Sequence, residues 1–163
     1  MYDLDKIDLD IVRLLMKDGR MPAAEIARQI ENASERAVRY RIERLLKEGV
    51  IQISAIVDPR TLGYMVTADV FIEVDSDSII KVANAMTQYE CISYVACAIG
   101  ETDISVQVVG RDTSEIYRFV TDVIGKVPGV RKTTTSIVPM VLKDIYQWQI
   151  PQSACSDGRS KSK

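Results

Sequence analysis

Five cations lie within the fourteen residues "SERAVRYRIERLLK": Arg36, Arg39, Arg41, Arg44 and Lys47. Glu35 and Glu43 share the segment, so it carries +3 in a chain whose total is −2, which leaves −5 for everything else. Guanidinium and ammonium groups bind phosphate, and the forked donors of arginine also match the edge of guanine. The chemistry on offer is contact with a nucleic acid. A plainer reading exists, since charged helix faces are commonly solvated.

Other chemistries have little to work with. The chain has no histidine, hence neither the commonest general base nor the commonest metal ligand. Its cysteines (Cys91, Cys97 and Cys155) show no CxxC spacing, which argues against zinc or redox work. No catalytic residue, metal site or cofactor is expected. The start "MYDLDKIDLD" is acidic and unlike a signal peptide, and no apolar run approaches the ~18 residues of a membrane span. An odd cysteine count then suits a reducing cytoplasm, with Cys91 and Cys97 as buried thiols.

The cations need a helix to present them. Ser34 predicts an N-cap, Val38, Ile42, Leu45 and Leu46 an apolar stripe, and Gly49 a stop. At 100° per residue from Val38 the core direction lies near about 30°, with Arg36, Lys47, Tyr40 and Arg44 between about 160° and 240°. Those four point away from the core; Arg39 and Arg41 flank the stripe, and Arg41 is a candidate for being held against the protein. Upstream, Ile7, Ile11, Leu14 and Leu15 predict a helix with Asp8 as N-cap and Gly19 as stop. A short second helix begins near Pro22 with Ile26, Ala27 and Ile30 inside, followed by a turn in which Asn32 can adopt a left-handed conformation. Short helix, turn and capped third helix form a helix-turn-helix.

"IQISAIV" (Ile51 to Val57) alternates as a strand, a hairpin or a link, and "DPRTLGY" is a joint. Beyond it the periods predict strands at Val66 to Val74, Cys91 to Ile99, Ile104 to Val108 and Val130 to Leu142. Helices fall at Ile79 to Met86 and from an Asp112 N-cap with Glu115 as its capping-box partner to Pro128-Gly129. The order βαββαβ is ferredoxin-like, with helices on one sheet face and a bare face that a homodimer would cover. The expected divisions are 1–50 (helix-turn-helix, DNA-binding), 51–65 (linking strand and hinge), 66–142 (βαββαβ domain and oligomerisation), 143–150 (extension) and 151–163 (disordered tail).

Taken in order, "LDKIDLDIVRLLMKDGR", "AEIARQI", "RYRIERLLKEGVIQ", "DPRTLGY", "GETD", "VPGVRKTTTSIV" and "LKDIYQWQIP" resemble the Lrp/AsnC (feast/famine) family of prokaryotic transcription regulators over residues 3 to 150. That resemblance implies an α+β chain: an N-terminal winged-type helix-turn-helix domain plus a C-terminal βαββαβ (RAM-type) ligand-sensing domain. It implies a cytoplasmic DNA-binding regulator, homodimeric through its sheets and often octameric, answering to an amino acid or related effector. The recognition helix maps onto Ser34 to Lys47, including Ser34, Arg36, Arg39, Tyr40, Arg41, Arg44 and Lys47. The effector site maps onto Gly100 and Asp103, with Glu101 and Thr102 between them, and onto Thr133 and Thr135. On this resemblance loop N–H groups and hydroxyls would take a carboxylate and Asp103 an ammonium group. The plainer reading is that glycine serves the turn, Asp103 bonds its own turn and threonine is a good strand residue. "IENAS" departs from the family in carrying Glu31-Asn32 where glycine is usual. Two other classes remain: an enzyme like the sirohaem decarboxylases, against which the lack of histidine near Cys91-Ile92-Ser93-Tyr94 argues, and a ligand-sensing partner without DNA binding.

Overall fold

The computed structural model describes residues 2–151 and 154, so Cys155 and all of the expected tail except Pro151 and Ala154 lie outside the described residues. The chain divides into two compact units, residues 1–56 with 143–163, and residues 57–142. Among the described residues no helix is long and apolar enough to cross a membrane.

The first unit holds α1 (Lys6–Lys17), α2 (Ala23–Gln29) and α3 (Glu35–Lys47). Its core joins Ile11, Val12 and Leu15 of α1, Ile26 and Ile30, and Val38 and Leu45 of α3. The N-cap of α1 is Asp5 rather than Asp8: the Asp8 N–H donates to Asp5 Oδ1 at 2.8 Å. Starting one turn earlier places Asp8 in the first turn, where its side chain is completely buried. Asn32 is left-handed (φ 61°), closing the turn into α3. Ser34 Oγ accepts from the Ala37 N–H at 3.2 Å and caps α3. At the other end Gly49 (φ 67°) donates to Leu46 O and Val50 to Leu45 O, a Schellman closure that needs a left-handed residue.

The Ile51 to Val57 run is not a paired strand: it forms no ladder among the described residues, and Ile53, Ile56 and Val57 are exposed. Alternation sets the phase of side chains, but a strand also needs a neighbour for its backbone groups. Residues 143–150 return to the first unit, where Ile150 packs on the helical core and its carbonyl accepts from Arg13 Nη2 at 3.4 Å.

The second unit is β1 (Val66–Val74), α4 (Ile79–Met86), β2 (Ile92–Cys97), β3 (Ile104–Gly110), α5 (Thr113–Arg118) and β4 (Val130–Val138). The sheet is antiparallel in the order β2-β3-β1-β4. Ala68, Val70, Ile72 and Val74 alternate with Ile104, Val106 and Val108 on one face, and Val82, Met86, Ile116, Val120 and Ile124 cover them. The opposite face carries Asp69, Phe71 and Glu73 beside Ser105 and Gln107, with Gln107 Nε2 donating to Asp69 Oδ1 at 3.1 Å.

Several details depart from expectation. β4 stops at Val138 instead of Leu142 because Pro139 cannot donate to a ladder. Cys97 is exposed at the end of edge strand β2, while Cys91 is half-buried; both are free thiols. Glu115 caps the Arg111 N–H rather than that of Asp112, while Asp112 accepts from the Glu115 N–H. Past Arg118 the helix widens into a π turn (Phe119–Val123) and tightens into a 3-10 turn (Ile124–Lys126). Four α-helical residues overshoot a full turn by about 40°, and a wider turn cancels that drift. Ile116, Val120 and Ile124 consequently all stay on the sheet.

Gly129 (φ 97°) begins the tight entry to β4, and a Cβ there would lie 2.6 Å from Ser78 Cβ. Gly129→Ala should lower stability by about 1–3 kcal/mol through strain and that clash. Chemical denaturation followed by circular dichroism tests this, and an unshifted midpoint would contradict it.

Candidate nucleic-acid interface

Helix α3 is held by two kinds of contact. Val38 and Leu45 anchor its apolar side, and charge anchors one flank. Arg41 Nη1 lies 2.7 Å from Asp8 Oδ1 and 2.6 Å from Asp5 Oδ2, while Arg44 Nη2 lies 2.8 Å from Asp8 Oδ2. One buried carboxylate thus binds two guanidinium groups one helical turn apart. The Arg44 guanidinium also lies over the Tyr2 ring, 5.4 Å from its centroid. Arg44 Nε and Tyr2 Oη are buried with no hydrogen-bond partner among the described residues.

The expected orientation of Arg44 is corrected by this arrangement. A wheel angle fixes where Cβ leaves the helix, but a long side chain can bend back toward α1, and the buried charge of Asp8 draws it there. Arg41 is held against the protein, at 23% side-chain exposure.

The rest of the set stays outward. Ser34, Arg36, Arg39, Tyr40 and Lys47 are exposed. Arg39 pairs with Glu35 at 2.6 Å on the open surface, where both side chains are at least half exposed. Arg36 and Lys47 form no ion pair among the described residues, and Tyr40 is 65% exposed. Tyr40, Glu43, Arg44, Lys47 and Glu48 line a shallow groove along the helix. A face of separate cations and a phenol beside a groove can meet phosphates and base edges.

The second cluster lies at one end of β1. Asp103 closes the β2–β3 hairpin: its N–H donates to Ile72 O at 3.0 Å and its carbonyl accepts from Ala98 N at 2.8 Å. Its carboxylate caps β1 by accepting from the Val74 N–H at 2.8 Å. Arg131 Nη2 stands 3.9 Å from the same oxygen, and Arg131 Nε is 3.9 Å from Asp75. Gly100 and Glu101 are exposed, and Thr102 is half-buried. On the other side of β1, Thr133 pairs with Ile72 and Thr135 with Val70. Asp103 and Thr133 therefore border the same β1 residue, with Thr135 two positions along edge strand β4 and more exposed.

Sequence reasoning missed Asp8, Tyr2, Arg131 and Asp75. For Asp8 a signal existed: Asp5 and Asp8 are spaced like Arg41 and Arg44, so matched charges can meet across two helices. Nothing comparable marked Tyr2.

Comparisons agree with this division of labour. A model described as winged helix-turn-helix DNA-binding matches residues 4–52, and one described as Lrp/AsnC ligand binding domain matches residues 67–147. The HTH-type transcriptional regulator FL11 of Pyrococcus abyssi is 38% identical over 148 residues, covering 90% of this chain and 97% of the relative. The structure of AsnC from E. coli superposes with a TM-score of 0.81 at 23% identity, covering 89% of this chain and 99% of that one. A Neisseria meningitidis transcriptional regulator in its L-Met complex gives 0.81 at 23% identity, covering 86% and 93%. At such identities the two structures establish the fold alone.

Asp5 titrates below the usual carboxylate range: burial pushes it up, but the Asp8 N–H and the Arg41 guanidinium outweigh that. A carboxylate lowered in this way stabilises the fold fully above its unfolded value, and that contribution is lost as pH falls through the folded one. The helical unit should therefore weaken as pH drops below about 4. Asp5→Asn should flatten this acid limb in thermal melts followed by circular dichroism; identical limbs in both proteins would refute the contribution.

Proposed function

Because the chain belongs to the Lrp/AsnC family of DNA-binding transcriptional regulators, and is no enzyme, we propose how its two units divide the work. The first unit docks α3 in a DNA major groove through Arg36, Arg39, Tyr40 and Lys47, with Ser34 at the N-terminal end of the helix nearest the backbone. The second unit takes a small effector at Gly100, Glu101, Thr102 and Asp103 together with Thr133 and Thr135. The chain acts as a cytoplasmic homodimer that presents two copies of α3.

One observation carries the DNA reading: α3 turns Arg36, Tyr40 and Lys47 outward on a helix whose roll is fixed from the flank toward α1. Outward cations neutralise phosphates and supply most of the affinity, while a forked guanidinium or the Tyr40 hydroxyl reads base edges. The surface pair of Arg39 with Glu35 does not prevent contact, since exposed ion pairs are worth only about 0–1 kcal/mol and give way to phosphate. Two copies on a dimer would read half-sites one helical turn apart, about 34 Å.

For the effector, an amino acid fits the chemistry. The second oxygen of Asp103, Oδ1, has no protein partner among the described residues and can take an ammonium group. Arg131, the loop N–H groups and the Thr133 and Thr135 hydroxyls can take a carboxylate. A ligand there shifts assembly or DNA affinity only by binding one state better than the other. The Neisseria relative in its L-Met complex supports an amino acid as the class to try first.

Selection of bound duplexes from a random pool, with and without amino acids, tests both halves. A recurring motif is expected. Arg36→Ala should weaken binding to every sequence and flatten the salt slope by about one unit if it contacts phosphate, or cost about 1–3 kcal/mol at one position if it reads a base. No retardation of any duplex at low salt would overturn the DNA reading. Calorimetry against the common amino acids should give heat with at least one of them that Asp103→Asn abolishes; silence across the set would overturn the effector reading.

A further inference from the structure

We infer that Asp8 is a positioning residue that withholds Arg41 and Arg44 from DNA, so that α3 meets the duplex with only part of its positive charge and at one fixed roll. The inference rests on the DNA reading above and adds a second role to α1.

The geometry separates the cations of α3 into two classes. Asp8 is completely buried, and its two oxygens are divided between Arg41 at 2.7 Å and Arg44 at 2.8 Å. Arg41 has a further anchor in Asp5 at 2.6 Å. Were either guanidinium to turn to a phosphate, a buried carboxylate would lose a partner, and uncompensated buried charge is among the costlier defects in a protein. Arg44 would also leave the Tyr2 ring. Arg39 faces no such barrier: its partner Glu35 is half exposed and can rehydrate. Arg36 and Lys47 have no ion-pair partner to leave among the described residues.

The two clamped groups lie three residues apart, about one helical turn, so the pair resists rotation of α3 about its axis as well as translation. Fixed roll is what base readout requires, because moving a side chain from one base edge to the next takes only a small rotation of the helix. The clamp therefore trades affinity for discrimination. Fewer phosphates are engaged, and the residues that remain are aimed.

The test measures the salt dependence of binding by the full-length protein to two probes, a random-sequence duplex and the duplex recovered by selection. Arg36→Gln should flatten the slope on both probes by about one unit per protomer. Arg44→Gln should leave the slope unchanged and narrow the affinity ratio between the selected and random duplexes. Asp8→Asn, with helicity retained, should steepen the slope by about one unit per protomer and tighten binding to the random duplex as Arg44 becomes available, while Arg41 keeps its pair with Asp5. Measured against Arg44→Gln, the gain should vanish in the double variant Asp8→Asn/Arg44→Gln, whereas simple removal of one negative charge would tighten binding in both backgrounds. An Arg44→Gln slope as flat as that of Arg36→Gln would overturn the inference, as would a folded Asp8→Asn protein with an unaltered or flatter slope. Should Asp8→Asn fail to fold, the Arg44→Gln slope decides alone. If Arg36→Gln and Lys47→Gln both leave the slope unmoved, the DNA reading fails, and this inference falls with it.

Discussion

The buried carboxylate of Asp8 is the constraint around which the helical unit is arranged. A charge taken fully out of water must be matched by partners of excellent geometry, or the fold that buries it is lost. Asp8 finds them on α3, in two guanidinium groups one turn apart, and the contact ties the first helix to the third across a core that is otherwise a few Ile, Leu and Val side chains. Apolar packing of this kind fixes distance better than rotation. The ion pairs supply what packing lacks, a preferred roll for the helix that carries the outward face.

The sheet unit solves a different problem. Its helices cover one face, so alternate residues of β1 and β3 fill the core while their neighbours look outward with mixed character: Asp69, Phe71, Glu73, Ser105 and Gln107. These half-covered side chains partly satisfy one another, as in the Gln107 to Asp69 hydrogen bond. The same economy operates at the end of β1, where Asp103 closes a hairpin with its backbone and caps a neighbouring strand with its carboxylate. The loop that carries a candidate ligand group is thereby also a fixed part of the sheet. A bound molecule there would act on the strand ends directly.

Much of this was legible in the sequence because it depends on period and on local chemistry. The apolar periods gave β1 at its full extent, and Ser34, Asn32 and Gly49 marked the turns and ends around α3 through side chains suited to those backbone positions. What escaped depends on three-dimensional neighbours. Asp8 looked like a cap because aspartate at a helix start usually is one, and only the position of α3 turns it into a buried counter-ion. Arg44 looked outward because a wheel locates Cβ and not the end of a long side chain. Ile51 to Val57 has the alternation of a strand but no neighbour to complete one among the described residues. Asp103 and Thr133 could be named as candidates, but that they flank Ile72 from opposite sides of β1 is a matter of register.

Charge placement also explains how a chain of net −2 can meet a polyanion. The segment from Ser34 to Lys47 carries +3, and the carboxylates of Asp5 and Asp8 lie against two of its cations. Counted with those partners, the local surplus falls to +1, too little to attract DNA through bulk charge alone. Its distribution matters more than its sum. At physiological salt a charge is felt over only about 8 Å, so a phosphate near the outer side of α3 responds chiefly to Arg36, Arg39 and Lys47. The neutralised pair lies on the flank toward α1, inside a contact whose partners it already has. An acidic chain keeps a cationic face by setting the carboxylates of Asp5 and Asp8 on the flank toward α1, while the far side keeps Arg36 and Lys47 without an ion pair among the described residues and Arg39 in an exposed pair with Glu35.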